Sequence, residues 1–157
     1  MSKTFILMRH GDALDSGLTG QGIEQTRNIA RQMMEMGYRI DVILHSPLPR
    51  AVETAGIIAE EYKAAGKEVA IVRAHQHLAI NRKHIPTVIS DFYEEEEVAL
   101  IISHDDDIKD AMLKLTGEEC KLSYSNAVVL NSESEDWESV VMHPGSNKRI
   151  CVLVPTP

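Results

Sequence analysis

Two arginines and two histidines stand just past apolar runs of this chain. Phe5-Ile6-Leu7-Met8 leads into Arg9-His10-Gly11, Val42-Ile43-Leu44 into His45-Ser46-Pro47-Leu48-Pro49-Arg50, and Val98-Ala99-Leu100-Ile101-Ile102 into Ser103-His104. If the runs are parallel strands of one sheet, all three sets gather at its carboxyl edge, where ligands of open α/β sheets bind. A histidine directly after a buried strand can present a ring nitrogen to a substrate. A glycine beside it admits close backbone approach, and an arginine binds phosphate oxygens through its planar fork. Arg9, His10, Arg50 and His104 meeting there form a pocket for a phosphoryl group.

The elements that must position them follow from hydrophobic periodicity. Thr4–Met8 is predicted as a first buried strand and Thr19–Met36 as a helix. The helix carries Ile23, Ile29, Ala30, Met33, Met34 and Met36 at helical spacing, with Gly37 at its stop. A strand over Asp41–His45 and a helix over Leu48–Ala65, closed by Gly66, come next. A third strand is predicted at Val69–Val72, a helix at Ile85–Tyr93, a fourth strand at Val98–Ile102, and a helix at Asp106–Thr116 stopped by Gly117. Ala127–Leu130, Trp137–Met142 and Ile150–Val154 are read as closing strands. The alternation implies an α/β fold: a three-layer α/β/α sandwich with a mostly parallel central sheet and antiparallel additions near the C-terminus. With 157 residues and 43% apolar content, one domain over residues 1–157 is expected.

The formal net charge of −8 argues against generic nucleic-acid or anionic-membrane binding, which needs a basic footprint. No window is apolar for long enough to span a bilayer, and the N-terminal run is too short for a secretory core, so a cytoplasmic location is expected. Cys120 and Cys151 lack CxxC spacing and read as reduced structural thiols, although a disulfide between them stays open. Acidic residues collect in Glu94–Glu97 and Asp105–Asp107, runs that read as solvated faces or helix starts.

Ser46-Pro47-Leu48-Pro49-Arg50-Ala51-Val52-Glu53-Thr54-Ala55 joins a strand to a helix, with prolines where a helix can begin and Arg50 in its first turn. From there the guanidinium can reach the sheet edge, and the helix amides favour an anion. The other reading of Arg50 is a surface residue paired with Glu53.

Arg9-His10-Gly11, Leu18-Thr19 with Gly22 and Gln25, the run Ser46–Ala55, and His104 after a strand resemble the histidine phosphatase superfamily, which also contains the cofactor-dependent phosphoglycerate mutases. The resemblance spans positions 5 to 104. Because the chain is short and opens Met8-Arg9-His10-Gly11-Asp12-Ala13, it is most similar to the SixA-type branch, the phosphohistidine phosphatases. The resemblance implies that His10 attacks phosphorus in line and becomes a phosphohistidine. Arg9, Arg50 and His104 would hold the equatorial oxygens, and no metal or cofactor is expected. Ser16 is either a further phosphate contact or a solvated loop serine. The implied partner is a phosphorylated protein, such as a phosphotransfer domain. The alternatives are a small phosphate ester as substrate, or a catalytically weak phosphate-binding module.

Two departures from the family pattern stand out. Many relatives carry a carboxylate after the third strand to protonate the leaving oxygen, whereas this chain has Ala74-His75-Gln76-His77-Leu78. His77, or His75, would have to act as the acid and contact substrate, unless both are solvated. Asp105-Asp106-Asp107 directly follows His104. Asp106 and Asp107 read as helix-start acids, while Asp105 facing the pocket would repel phosphate yet favour a protonated His104.

Overall fold

The computed structural model describes residues 2–15 and 17–157. A strand that is apolar on both alternating faces is stable only with packing on either side. The first such run forms β1 (Lys3–Arg9), in the interior of a six-stranded sheet. A small hairpin follows, β2 (Ala13–Leu14) and β3 (Gly17–Leu18), and then α1 (Gly20–Glu35). The chain continues through β4 (Val42–His45), α2 (Pro49–Ala64), β5 (Ile71–Ala74), α3 (Ile85–Ser90), β6 (Val98–Ser103), α4 (Asp105–Thr116), β7 (Ala127–Ser132), α5 (Trp137–Met142) and β8 (Asn147–Leu153).

The sheet order is β5-β4-β6-β1-β7-β8. The first four strands run parallel, and β7 and β8 are antiparallel. Period-two alternation divides each central strand between two cores. Phe5, Leu7, Leu44 and Ile101 pack with α3, α4 and α5 on one face. Ile6, Met8, Ile43 and Leu100 pack with α1 and α2 on the other. Each fully buried side chain of this size contributes roughly 1.5–3 kcal/mol, so the expected three-layer sandwich is held by burial on both faces.

Register then sets the edge. Arg9 pairs with Ser103 and His45 with Ile102, so His10 comes out beside His104, and Ser46 beside Ser103. These residues leave adjacent strands at one level, on the side where the first helix turns begin.

Several expected elements differ. Trp137–Met142 is a helix, not a strand. The Asp136 carboxylate accepts from the Ser139 amide at 2.7 Å, and Trp137 and Val140, three apart, face the core. A side-chain cap and an i,i+3 buried pair outweigh the strand preference of Val140 and Val141. The third strand lies at Ile71–Ala74, two residues later than expected, and α3 ends at Ser90. The acidic runs are not uniformly solvated: Glu96 and Asp107 are buried.

Candidate active site

The site begins where β1 runs out. The His10 amide donates to Ser103 O at 3.3 Å, the Ser125 amide donates to His10 O at 3.1 Å, and the ring is buried. Next in sequence, Gly11 has no room for a side chain, since a Cβ would stand 2.9 Å from Thr26 Oγ1. Its amide donates to Thr54 Oγ1 at 3.0 Å, and that hydroxyl donates to Arg50 O at 2.7 Å. Thr54 thus ties the strand-end motif to the first turn of α2. The preceding hairpin is fixed in the same manner: Thr19 caps α1, and its amide donates to Asp12 O at 2.9 Å.

Within this frame His10 Nδ1 lies 2.9 Å from Gly11 O. A carbonyl oxygen only accepts, so Nδ1 carries the proton and Nε2 keeps its lone pair. Burial is the largest influence on the ring and lowers its pKa from 6.5. The Gly11 hydrogen bond and Asp12 act the other way, while Arg50 and Arg9 reinforce the lowering. The neutral imidazole is therefore the form held at neutral pH.

The cationic groups close around it. Arg9 donates from an Nη to Leu122 O at 3.0 Å and lies 4.1 Å from the centroid of Tyr124, a cation–π arrangement that fixes the guanidinium plane. Arg50 is partly buried, and Glu53 accepts from the Leu18 amide. The His104 ring centroid is 5.3 Å from that of His10. Its Nε2 is 2.8 Å from Ser46 Oγ, which also accepts from the Leu48 amide. A serine hydroxyl can give its proton to Nε2 or accept one from it; in the first arrangement the His104 proton sits on Nδ1. Burial first, then His10, Arg50 and Arg9, push His104 down to about 4. Asp105 is part of the cavity wall yet does not hold His104 protonated: burial prevails, reinforced by the basic neighbours, and Asp105 pairs with Lys109 at 3.1 Å. Arg9 Nε, Arg50 Nε and His104 Nδ1 are buried and without a hydrogen-bond partner among the described residues.

Arg9, His10, Arg50 and His104 line one cavity of about 210 Å³. Ile80, Asn81, Asp105, Asp106 and Tyr124 are also part of its wall. Ser16 lies outside the described residues. His77 is not part of the lining. It turns to His84, Nδ1 to Nδ1 at 3.0 Å, and its amide donates to His75 Nδ1 at 3.1 Å. Among the described residues no cluster of three or more His, Cys, Asp or Glu side chains could hold a metal ion. Sequence reasoning missed Tyr124 and Asn81, which sit in polar turns with no spacing to mark them. Asp107 is in the first turn of α4, as expected, but sequence reasoning missed that it also accepts from the loop amides of residues 81 and 83.

Residues 5–78 match the family model of the histidine phosphatase superfamily, branch 1. The chain has the histidine phosphatase fold. It superposes with a TM-score of 0.79 on a protein from Nakamurella multipartitia assigned as the phosphohistidine phosphatase SixA, at 16% identity over 100% of this chain and 98% of that one. It superposes with a TM-score of 0.70 on the protein histidine phosphatase SixA complexed with tungstate, at 20% identity over 97% of each chain. At these identities the likeness is one of fold. In sequence, 82 residues are 37% identical to the mitochondrial serine/threonine-protein phosphatase Pgam5 of Drosophila pseudoobscura pseudoobscura, covering 46% of this chain and 28% of that protein. The chain thus spans under a third of the length of the curated superfamily relatives it matches. Among the described residues no helix is long and apolar enough to cross a membrane.

Proposed function

We propose that the chain is a phosphatase that works through a covalent phosphohistidine at His10, with phosphohistidine on another protein as its substrate. The observation that carries the reading is the His10 tautomer. With its Nδ1 proton given to Gly11 O, the ring has Nε2 as a lone pair in a cavity that Arg9, Arg50 and His104 also line.

The reaction has two steps. His10 Nε2 attacks phosphorus opposite the leaving nitrogen; a new N–P bond forms as the substrate N–P bond breaks. The substrate ring, protonated by solvent at its far nitrogen before cleavage, departs as neutral imidazole with that proton still in place, so it takes none from the enzyme. Water then attacks phosphorus, loses its proton to solvent and displaces His10 as free phosphate is released. In both steps charge spreads over the equatorial oxygens. Arg9 is held in advance by Leu122 O and Tyr124, and His104 by Ser46; together with Arg50 they offer N–H donors to these oxygens, which favours the transition state.

A protein-borne phosphohistidine suits the site because the segment after β5 carries histidines where an ester hydrolase would place an acid. The fold likeness to a histidine phosphatase that holds tungstate, an oxyanion, supports the same reading. The test is His10→Ala with a phosphohistidine peptide. Turnover should fall by several orders of magnitude, and rapid quench of the unaltered protein with labelled substrate should trap an acid-labile, base-stable phosphoryl group on His10. Near-normal turnover by His10→Ala overturns the reading. A kcat/KM for a sugar phosphate above that for the phosphohistidine peptide moves the protein to small esters.

A further inference from the structure

Residues 79–84, between β5 and α3, form a built loop rather than a slack one. It starts from Leu78 and ends at Ile85, each 1% exposed. The Ser103 hydroxyl donates to Leu78 O at 3.4 Å. Two of its residues, Asn81 at φ 62° and Lys83 at φ 56°, are in the left-handed region. Such a conformation costs a non-glycine residue about 1 kcal/mol or more. It persists because Asp107, 1% exposed in the first turn of α4, accepts from the Lys83 amide at 2.7 Å and from the Asn81 amide at 3.0 Å. Hydrogen bonds to a carboxylate are among the stronger kind. The result is that Ile80 and Asn81 line the cavity that holds His10.

We infer that Asn81 is the contact for the departing group at the phosphoryl site, and that Asp107 is the residue that positions it. The inference rests on the phosphatase reading above and adds which substrates the site favours. A carboxamide can accept from the N–H of a departing imidazole or donate to an oxygen, but it has no proton to release near neutral pH. With Asn81 in that place, breaking the P–N bond of a phosphohistidine whose far ring nitrogen has been protonated by solvent is supported by one hydrogen bond and needs no proton from the enzyme. Breaking the P–O bond of an alkyl ester expels an alkoxide that nothing in this position protonates. The site therefore favours phosphoramidates and activated aryl esters over alkyl esters through one side chain. His77, turned to His84, does not compensate.

The experiment compares kcat/KM for a phosphohistidine peptide, an aryl phosphate and an alkyl phosphate across Asn81→Asp, Asn81→Gly and Asp107→Asn. Asn81→Asp introduces a carboxylic acid that can give its proton to the leaving oxygen as the P–O bond breaks. Because general acid help is worth 10²–10⁴-fold, the alkyl-to-aryl ratio should rise at least tenfold, with a new fall in rate as that acid ionises at higher pH. Asn81→Gly relieves the backbone strain and should lower phosphohistidine turnover without raising the alkyl ratio. In the double variant Asn81→Asp with Asp107→Asn the gained ratio should disappear, a selectivity change that loss of stability alone does not produce. If variants of Asp107 do not fold, the two Asn81 variants decide. An unchanged alkyl-to-aryl ratio in Asn81→Asp, while the unaltered protein hydrolyses aryl phosphate, overturns the inference and leaves the phosphatase reading standing. A loss of alkyl hydrolysis in Asp105→Asn or Asp106→Asn also overturns it, by placing an acid on α4. No turnover of any of the three substrates by the unaltered protein sinks the phosphatase reading and this inference with it.

Discussion

Arg50 separates charge from geometry at the level of single residues. Lysine at this position keeps the charge but loses the planar fork and the Nε donor that is buried without a partner among the described residues. Arg50→Lys should lower kcat/KM by an amount equivalent to roughly 2–4 kcal/mol, comparable with removal of one preorganised donor. The fold should survive, because Glu53 bonds to Leu18 rather than to Arg50. Equal phosphate affinity and turnover in the two proteins would show Arg50 to be a helix-surface residue. That Arg9, His10, Arg50 and His104 share one cavity was legible in the sequence because each follows a strand whose apolar run announces it. Tyr124 was not: its ring meets Arg9 and His10 only through the sheet order that sets β7 beside β1. Nothing local encodes that meeting.

Two glycines in helices, with opposite expectations, test how the elements hold the site. A Cβ at Gly22 in α1 would run into the backbone of Asp12, whereas Gly56 in α2 has nothing within 4 Å of the same position. Gly22→Ala should destabilise the protein by about 1–3 kcal/mol through overpacking and should also reduce turnover, because Asp12 adjoins Gly11. Gly56→Ala should stabilise it by up to about 1 kcal/mol, the helix propensity difference, with turnover unchanged. Denaturant unfolding and steady-state kinetics on both variants check this, and stabilisation by Gly22→Ala would contradict the packing. Long periodic helices such as α1 and α2 were readable to within a residue or two, since many side chains vote on the same period. The six-residue α5 was not, because its two valines outweigh a single capping aspartate when only local preference is counted. Asp107 was legible as a helix-start acid but not as a loop anchor, for a related reason. Its partners lie in a loop more than twenty residues earlier, so a helix-start acid and a loop anchor look alike in sequence.

For the molecule as a whole, the buried basic site makes stability depend on pH. His104 titrates near 6.5 in an unfolded chain and at about 4 in the folded protein, because burial, His10, Arg50 and Arg9 all disfavour its charge. Between those values the unfolded chain binds more protons. The contribution is therefore fully present above 6.5 and is lost as pH falls towards 4. His10 shifts in the same direction, whereas buried Glu96, raised mainly by desolvation, works the opposite way. Unfolding free energy should decline from pH 6.5 to 4 less steeply in His104→Gln than in the unaltered protein. Parallel declines would remove His104 from the account.

The interior place of β1 also governs when, during synthesis, the site can exist. Arg9 pairs with Ser103 on one side, and Met8 pairs with Ala127 on the other. The residue that would attack phosphorus is thus made before both of the strands that flank its own. A nascent chain must hold an open, apolar β1 until β6 and β7 have emerged, and such distant pairings form slowly. An intermediate that ends before β7 has β1 paired on one side at most, so the strand that carries His10 is held on both sides only after β7 has been made.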